Sequence, residues 1–317
     1  MHELTIGKND AGQRLDKFLT KTLSLPQSLL YKSVRLKKIK VNRRRAQPDT
    51  RLAEGDTVQC FLPDEFFTGK ADNSLSRIVP HIRTIYEDKN ILLVNKPAGV
   101  AVHEDEHGST DTLITHIQAY LYQKGEYDPA AEQSFAPALC NRIDRNTAGI
   151  VIAAKNAEAL RIMNEKIRNR EIEKFYLCAV HGIPRPAEAT ARAYLRKDAE
   201  RNTVKIYDDH PPRDAKEIRT KYRTVAVRGG DALLEVELLT GRTHQIRAHM
   251  AHLGYPLLGD GKYGVNRDDR ARGYKYQALV SYRLRFVFRE DGGILSYLDG
   301  REFRIPAEDI PFVKDFI

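Results

Sequence analysis

The chain has 317 residues, 41% hydrophobic and 30% charged, enough for one large core beside a small second one. Its apolar runs, such as residues 150–154, fall far short of the ~20 residues a membrane span needs, and Met1, His2 and Glu3 show no basic-then-apolar leader pattern. Cys60, Cys140 and Cys178 are too dispersed for a disulfide framework or a zinc site, so reduced thiols in a cytoplasmic protein are expected, and the net charge of +9 points to a polyanion partner.

Residues 14–62 read as a small, self-contained unit. Leu15, Phe18 and Leu19 recur at helical spacing, as do Leu29, Leu30 and Val34 in the next segment. Pro26 breaks the chain between them and can start the second helix. Ile39-Lys40-Val41-Asn42 alternates like a strand end, Glu54-Gly55-Asp56 is a turn, and residues 57–62 are strand-like. Charge is concentrated here: residues 1–63 hold 13 Lys and Arg against 6 Asp and Glu, an excess of +7. Lys32, Arg35, Lys37, Lys38, Lys40, Arg43, Arg44 and Arg45 form a run of eight cations with no acid among them. Such a run commonly contacts a polyanion, and a solvated basic face is the ordinary alternative.

Residues 64–80, with Gly69, Asn73, Ser74 and a terminal Pro80, read as a linker, which divides the chain into 1–63 and 81–317. Beyond it, strand-like and helix-like segments alternate without a repeat. Residues 91–94 form a short buried strand closed by Lys96-Pro97-Ala98-Gly99, and residues 111–121 a helix. Residues 138–140 and 149–154 are strand-like. Asn156 caps a helix whose Leu160, Met163 and Ile167 share one face. Residues 175–180, 216–227 and 233–239 read as strands, the last two joined by the Gly229-Gly230 turn as an antiparallel pair. There is no phosphate-binding glycine loop and no dinucleotide fingerprint.

Three stretches can carry chemistry. In the first, residues 141–149, Asp144 stands between Arg142 and Arg145 at an expected turn, where flanking cations keep a carboxylate ionised. Read alone, the stretch favours an ordinary surface ion pair. In the second, residues 239–249, a strand ends at Gly241 and Thr243 can cap a helix. Ile246, Met250 and Leu253 face the core there, and Arg247 beside them is partly buried and needs a carboxylate. His244, His249 and His252 invite a metal-hydrolase reading, but their spacing lacks the accompanying carboxylate, and hydrogen-bonding or exposed histidines are the simpler account. In the third, residues 174–182, Tyr176 is either a half-buried strand tyrosine or a platform on which a base stacks.

Arg14-Leu15-Asp16-Lys17-Phe18-Leu19, Lys40-Val41-Asn42 and Gly55-Asp56 together resemble the S-four-type RNA-binding domain, although the glycine that family usually has near Lys37 is absent. The three chemical stretches, with residues 95–99, 254–260 and 262–264, resemble in order the RluA-type pseudouridine synthase family across roughly residues 85–290. The resemblance implies an α+β fold, with a mixed, largely antiparallel sheet flanked by helices behind a small N-terminal α/β RNA-binding domain. It further implies that Asp144 is the catalytic aspartate, Tyr176 the active-site tyrosine and Arg247 the aspartate's basic partner. Arg142 would help displace the target uridine from its helix. Asn141 replaces the usual histidine of the motif, Ala148 the usual serine, and Val280-Ser281 follows Leu279 where many members carry histidine.

The implied reaction moves the sugar bond of uracil from a ring nitrogen to a ring carbon. It involves no redox change or net hydrolysis and so requires no cofactor and no metal. A carboxylate can serve it as nucleophile or as base. The expected partner is RNA, most of all large-subunit ribosomal RNA, with the basic run on its phosphates, no membrane and a monomeric enzyme. A non-catalytic RNA-binding or ribosome-assembly factor on the same scaffold is the competing reading.

Overall fold

The computed structural model describes residues 1–23, 25–67, 73–104, 111–198 and 200–317. The N-terminal part contains β1 (His2–Thr5), α1 (Leu15–Thr22), α2 (Gln27–Arg35), β2 (Ile39–Val41), β3 (Arg44–Arg45) and β4 (Thr57–Cys60). Its sheet runs β1-β4-β2-β3, and Leu15, Phe18, Leu19, Leu30, Val34, Ile39 and Val58 share one apolar cluster drawn from residues 6–62. β1 lacks an apolar run and has no sequence signature; it is held by pairing with β4. The turn before β2, where the lack of a glycine is the departure from the resemblance, is made by Lys37 itself at φ +62°. Asn42 and Arg43 (φ +50° and +63°) form the two-residue turn into β3, a left-handed pair suited to the twist of a hairpin.

Within 64–80 the chain forms short 3₁₀ turns at Asp64–Phe67 and Asn73–Arg77, with Phe66 and Phe67 packed on the N-terminal cluster and Leu75 buried. Gly69 lies outside the described residues.

The larger part contains β5 (Thr84–Glu87), β6 (Ile91–Lys96), α3 (Leu113–Gln123), β7 (Ala138–Leu139), β8 (Ala148–Ala154), α4 (Ala157–Arg168), β9 (Ile172–His181), β10 (Glu188–Asp198), β11 (Thr203–Tyr207), β12 (Lys216–Arg228), β13 (Asp231–Leu238), α5 (Gln245–His252), α6 (Arg267–Ala271), β14 (Leu279–Phe286) and β15 (Glu302–Arg304). They build one sheet in the order β11-β10-β12-β13-β9-β14-β8-β6-β5, with β15 on β14 and β7 on β8. Every pairing is antiparallel except β14 with β8.

Strand alternation divides the core into two layers. Ile150, Ile152 and Ala154 pack with Ala159 and Met163 of α4, whereas Val151 and Ala153 pack with Leu113, Ile117 and Leu121 of α3. Tyr176, Cys178 and Val180 of β9 meet Ile246 and Met250 of α5. Asn156 caps α4 by accepting from the backbone N–H of Ala159 (2.9 Å).

Two helix starts differ from the expectation. Asp111 and Thr112 lie outside α3, because Thr112 is its cap and accepts from the N–H of Thr115. Thr243 does not cap α5; His244 occupies that position at φ +55° without a side-chain cap. The turn is sharp because buried Gln245 must reach the sheet end, where it bonds Thr240 (2.9 Å) and Thr220 (3.1 Å) and accepts from the N–H of Arg242 (3.1 Å). Strands β10, β11 and β14 have no counterpart among the strands read from the sequence. Much of β10 and β11 is exposed and polar, and their pairing is long-range.

The single parallel pairing sets Ala148 against Val280 and Gly149 against Ser281. Gly149 has φ +122°, and a Cβ there would sit 2.3 Å from the Ser281 carbonyl oxygen. Gly149→Ala should therefore lower folding stability by about 3 kcal/mol or more, from backbone strain and overpacking together. Urea denaturation of the purified variant measures this.

Candidate active site

The loop joining β7 to β8 is pinned at several points by groups that leave Asp144 projecting. Asn141 is buried; its Oδ1 accepts from the Ile152 N–H (2.7 Å) and its Nδ2 reaches the Ile150 carbonyl (3.4 Å). Ile143 packs in the α3 layer. The Asp144 carbonyl accepts from the Thr147 N–H (3.0 Å), and Thr147 Oγ1 accepts from Gln277 (3.1 Å). The Arg145 carbonyl accepts from the Gly99 N–H (2.9 Å) and from Lys96 Nζ (2.8 Å). Lys96 is fully buried and also donates to the carbonyls of Pro97 and Val100 (2.8 Å each), so one ammonium ties the 96–100 turn to the Asp144 loop. Burial pushes that ammonium down to about 7, against the pull of the Asp144 charge and with a further fall from Arg145.

The cation that meets Asp144 is not one of its neighbours in sequence. Arg142 and Arg145 are exposed, while Arg247, on α5 and 6% exposed, donates from Nη1 to Asp144 Oδ2 (2.9 Å). The rest of its guanidinium is held by Asp260, with Nε to Oδ2 at 2.7 Å and Nη2 to Oδ1 at 2.9 Å. Asp260, 1% exposed, also accepts from the backbone N–H of Lys262 (2.9 Å). Burial alone would raise its pKa, but the Arg247 hydrogen bonds and charge, with the backbone donors of Lys262 and Tyr263, outweigh it and hold the carboxyl below its usual value. The Tyr263 ring lies under the guanidinium, 5.4 Å from centroid to Cζ.

Tyr176 lies on the same face of the sheet as α5, more deeply buried than a half-buried strand tyrosine. Burial first, and then the nearby Asp144 charge, push its phenol up to about 12 against a hydrogen-bonding effect of Ser281. Arg142 stands outside this group, on the solvent side of the loop, close enough to His103 for its charge to add to the lowering that burial causes there. Asp144, Arg247 and Tyr176 are thus brought together from a loop, a helix and a strand, with Arg142 at the rim.

The three histidines of residues 244–252 diverge. His244 meets Tyr263 (2.8 Å), His249 meets Thr220 (2.9 Å) and His252 meets Asp208 (2.8 Å). Among the described residues no cluster of three His, Cys, Asp or Glu side chains is placed to hold a metal ion.

Lys96, Asp260 and Tyr263 are site residues that sequence reasoning alone does not single out, and His244 is weighed there only as a metal ligand. Lys96, Asp260 and Tyr263 fall inside the stretches 95–99, 254–260 and 262–264 that carry the family resemblance, but none of these stretches says which partner its side chain will find. The Asp144 side chain is 24% exposed, with Oδ2 committed to Arg247. Among the described residues no donor reaches Oδ1. An oriented carboxylate with one open oxygen, near enough to Tyr176 for its charge to act on that phenol, suits nucleophilic or basic attack on a nucleoside.

The basic run spans the end of α2, the turn after it and the β2–β3 hairpin. Lys32, Arg35, Lys37, Lys38, Arg43, Arg44 and Arg45 are exposed, and half-buried Lys40 places Nζ 5.5 Å from the Phe61 ring centroid. Among the described residues the ion pairs of this unit are Arg14–Asp16 and His2–Asp64, and none of the eight cations joins one.

Residues 90–252 match the model of a family described as RNA pseudouridylate synthase. The chain is 32% identical over 274 residues to the ribosomal large subunit pseudouridine synthase C of Buchnera aphidicola subsp. Baizongia pistaciae, covering 84% of this chain and 82% of that one. It is 32% identical to the Haemophilus ducreyi protein of the same name (89% and 86% covered) and 30% identical to that of Escherichia coli (84% and 81%). Among solved structures, human RNA pseudouridylate synthase domain containing 1 superposes with a TM-score of 0.58 at 20% identity, covering 74% of this chain and 87% of that one, a likeness of fold.

The Arg247–Asp260 pair makes a stability prediction. Asp260→Ala strands a buried guanidinium and should cost about 3–5 kcal/mol. Because the folded carboxyl titrates below its unfolded value of about 3.9, it stabilises the fold above that value, and the contribution is lost as pH falls through the folded pKa. Denaturation midpoints measured from pH 7 downward should fall more steeply at the acid end for the native protein than for Asp260→Asn.

Proposed function

The chain belongs to the RNA pseudouridylate synthase family, and on that footing we propose that Asp144 is the carboxylate with which this RNA pseudouridine synthase isomerises uridine. The observation that carries the reading is the Arg247 Nη1 contact to Asp144 Oδ2 at 2.9 Å, in a site shared with Tyr176. Arg247 holds the carboxylate turned, so that Oδ1 can attack the nucleoside or remove a proton from it. The ring atoms are conserved between substrate and product, so the chemistry needs no cofactor.

The target base must leave its stack, at a cost of a few kcal/mol. Tyr176 offers the base a ring face, and Arg142 at the rim can enter the space the base vacates. Residues 1–63 act as an S-four-type RNA-binding domain joined by the 64–80 linker to a catalytic domain of 81–317. Lys32, Arg35, Lys37, Lys38, Lys40, Arg43, Arg44 and Arg45 contact phosphates and set affinity and register, while RNA shape around the cleft sets the site. The substrate is structured RNA, foremost large-subunit ribosomal RNA, which the names of the matched relatives carry, and the enzyme acts as a cytoplasmic monomer.

Two measurements test this. Asp144→Asn should bind RNA as the native protein does and form no pseudouridine in a single-turnover assay; appreciable turnover would remove Asp144 from its role. Replacing Lys37, Lys38, Arg43, Arg44 and Arg45 together with Ala should weaken RNA binding and flatten the plot of log K against log salt by about 0.7–0.9 for each phosphate no longer neutralised. An unchanged slope would place the RNA path elsewhere.

A further inference from the structure

His244 is the residue of the site that the proposed reaction leaves unused, and its geometry is specific. It adopts the left-handed conformation at the start of α5, and its side chain is 10% exposed. That backbone turns the ring toward Asp144: Nε2 lies 3.8 Å from Asp144 Oδ2, too far for a direct hydrogen bond. The other ring nitrogen, Nδ1, lies 2.8 Å from the Tyr263 hydroxyl. The oxygen of that hydroxyl also accepts from the backbone N–H of Val204 (3.0 Å), and its own hydrogen can be given to Nδ1. With Nδ1 as the acceptor, the proton of a neutral imidazole is on Nε2, facing the space beside Asp144.

The groups around the ring favour the neutral form. Burial lowers its pKa; the Asp144 charge opposes this, Arg247 and Lys262 reinforce it, and Asp260 opposes it. A neutral imidazole with a fixed Nε2–H is an electrophile that need not change protonation state during a reaction.

We propose that His244 is a catalytic residue that donates a hydrogen bond from Nε2–H to the uracil as it separates from the ribose. This deepens the reading of Asp144 given above and rests on it. Whichever route Asp144 takes, the C1′–N1 bond must break. Its electron pair goes to N1 and is shared with the O2 carbonyl, and Nε2–H stabilises that charge while keeping its proton. The pair is neutralised when the C1′–C5 bond forms and the C5 proton is lost while N1 gains one. No oxidant, reductant or third reactant enters.

The two amide side chains separate the ring's two contacts, since the amide nitrogen of Gln reproduces the position of Nε2 and that of Asn the position of Nδ1. Single-turnover pseudouridine formation is measured with saturating enzyme, alongside RNA affinity. His244→Asn should lower the rate on the order of 10²-fold, the usual loss on removing one such donor, with RNA affinity unchanged, and His244→Gln should retain more of the rate. The Asn loss should shrink on RNA carrying 5-fluorouridine at the target, read as loss of that nucleoside on digestion, because the more acidic base leaves with less help.

A residue that merely ties the loop to Tyr263 would give the opposite order, with Asn outperforming Gln and equal losses on both bases. That result, or full activity in both variants, overturns the proposal. Should His244→Asn not fold, Tyr263→Phe, which frees the imidazole tautomer, must show the same substrate dependence; equal losses on both bases overturn the proposal there too. Asp144→Ala is run in parallel: turnover by it would overturn the underlying reading, whereas an inactive Asp144→Ala beside a fully active His244→Asn overturns the His244 assignment alone.

Discussion

Arg247 is buried with its guanidinium divided between two carboxylates, Asp260 through Nε and Nη2 and Asp144 through Nη1. A buried cation of this kind is tolerable only when its donors are satisfied, and removing one partner is far more costly than never having built the pair. Asp260 supplies the fixed half: it is closed off from solvent and bonded to backbone N–H groups. Asp144 supplies the more open half, still 24% exposed. One group therefore anchors the helix to the following loop and holds in place the carboxylate proposed to be catalytic.

That arrangement requires the Asp144 loop to arrive at α5 in a defined position, and the sheet provides it. The loop enters β8 beside β14 in the one parallel pairing, where Gly149 allows the backbones to approach. Lys96 ties the loop, through the Arg145 carbonyl, to the carbonyls of Pro97 and Val100 in its own turn. Two of the departures from the family pattern make sense in these terms. Asn141 caps the backbone of β8 with its amide, and Ala148 packs toward the α4 layer. Both hold the loop in place and leave Asp144 open to a substrate.

The small unit follows another logic. Its core is an apolar cluster with a few buried polar side chains such as Asp16 and Gln59, and its basic run is left for the surface. The positions that would strain most side chains, Lys37, Asn42 and Arg43, fall inside the basic run itself. The left-handed turns thus carry exposed cations at the edge of the small sheet, where a long polyanion can reach several at once.

The sequence by itself determined the amphipathic helices, the central apolar strands, the basic run and the stretches that carry the family resemblance, because each is written in neighbouring residues. Periodicity reports which side of an element is apolar, and Asn156 or Gly229-Gly230 report where an element begins or turns. The resemblance already paired Arg247 with Asp144; only the tertiary structure decided that Asp260 would hold the rest of its guanidinium, that Lys96 would clamp the Asp144 loop, and that His244 would turn toward Asp144 in place of a Thr243 cap. It also decided β10, β11 and β14, whose pairing partners are distant in sequence. The physical reason is the same throughout: a buried charge or an edge strand is stabilised by a partner tens to a hundred residues away, and no local pattern encodes that distance. Asp144 and Arg247 could each be suspected from their own surroundings, but their meeting is a property of the fold.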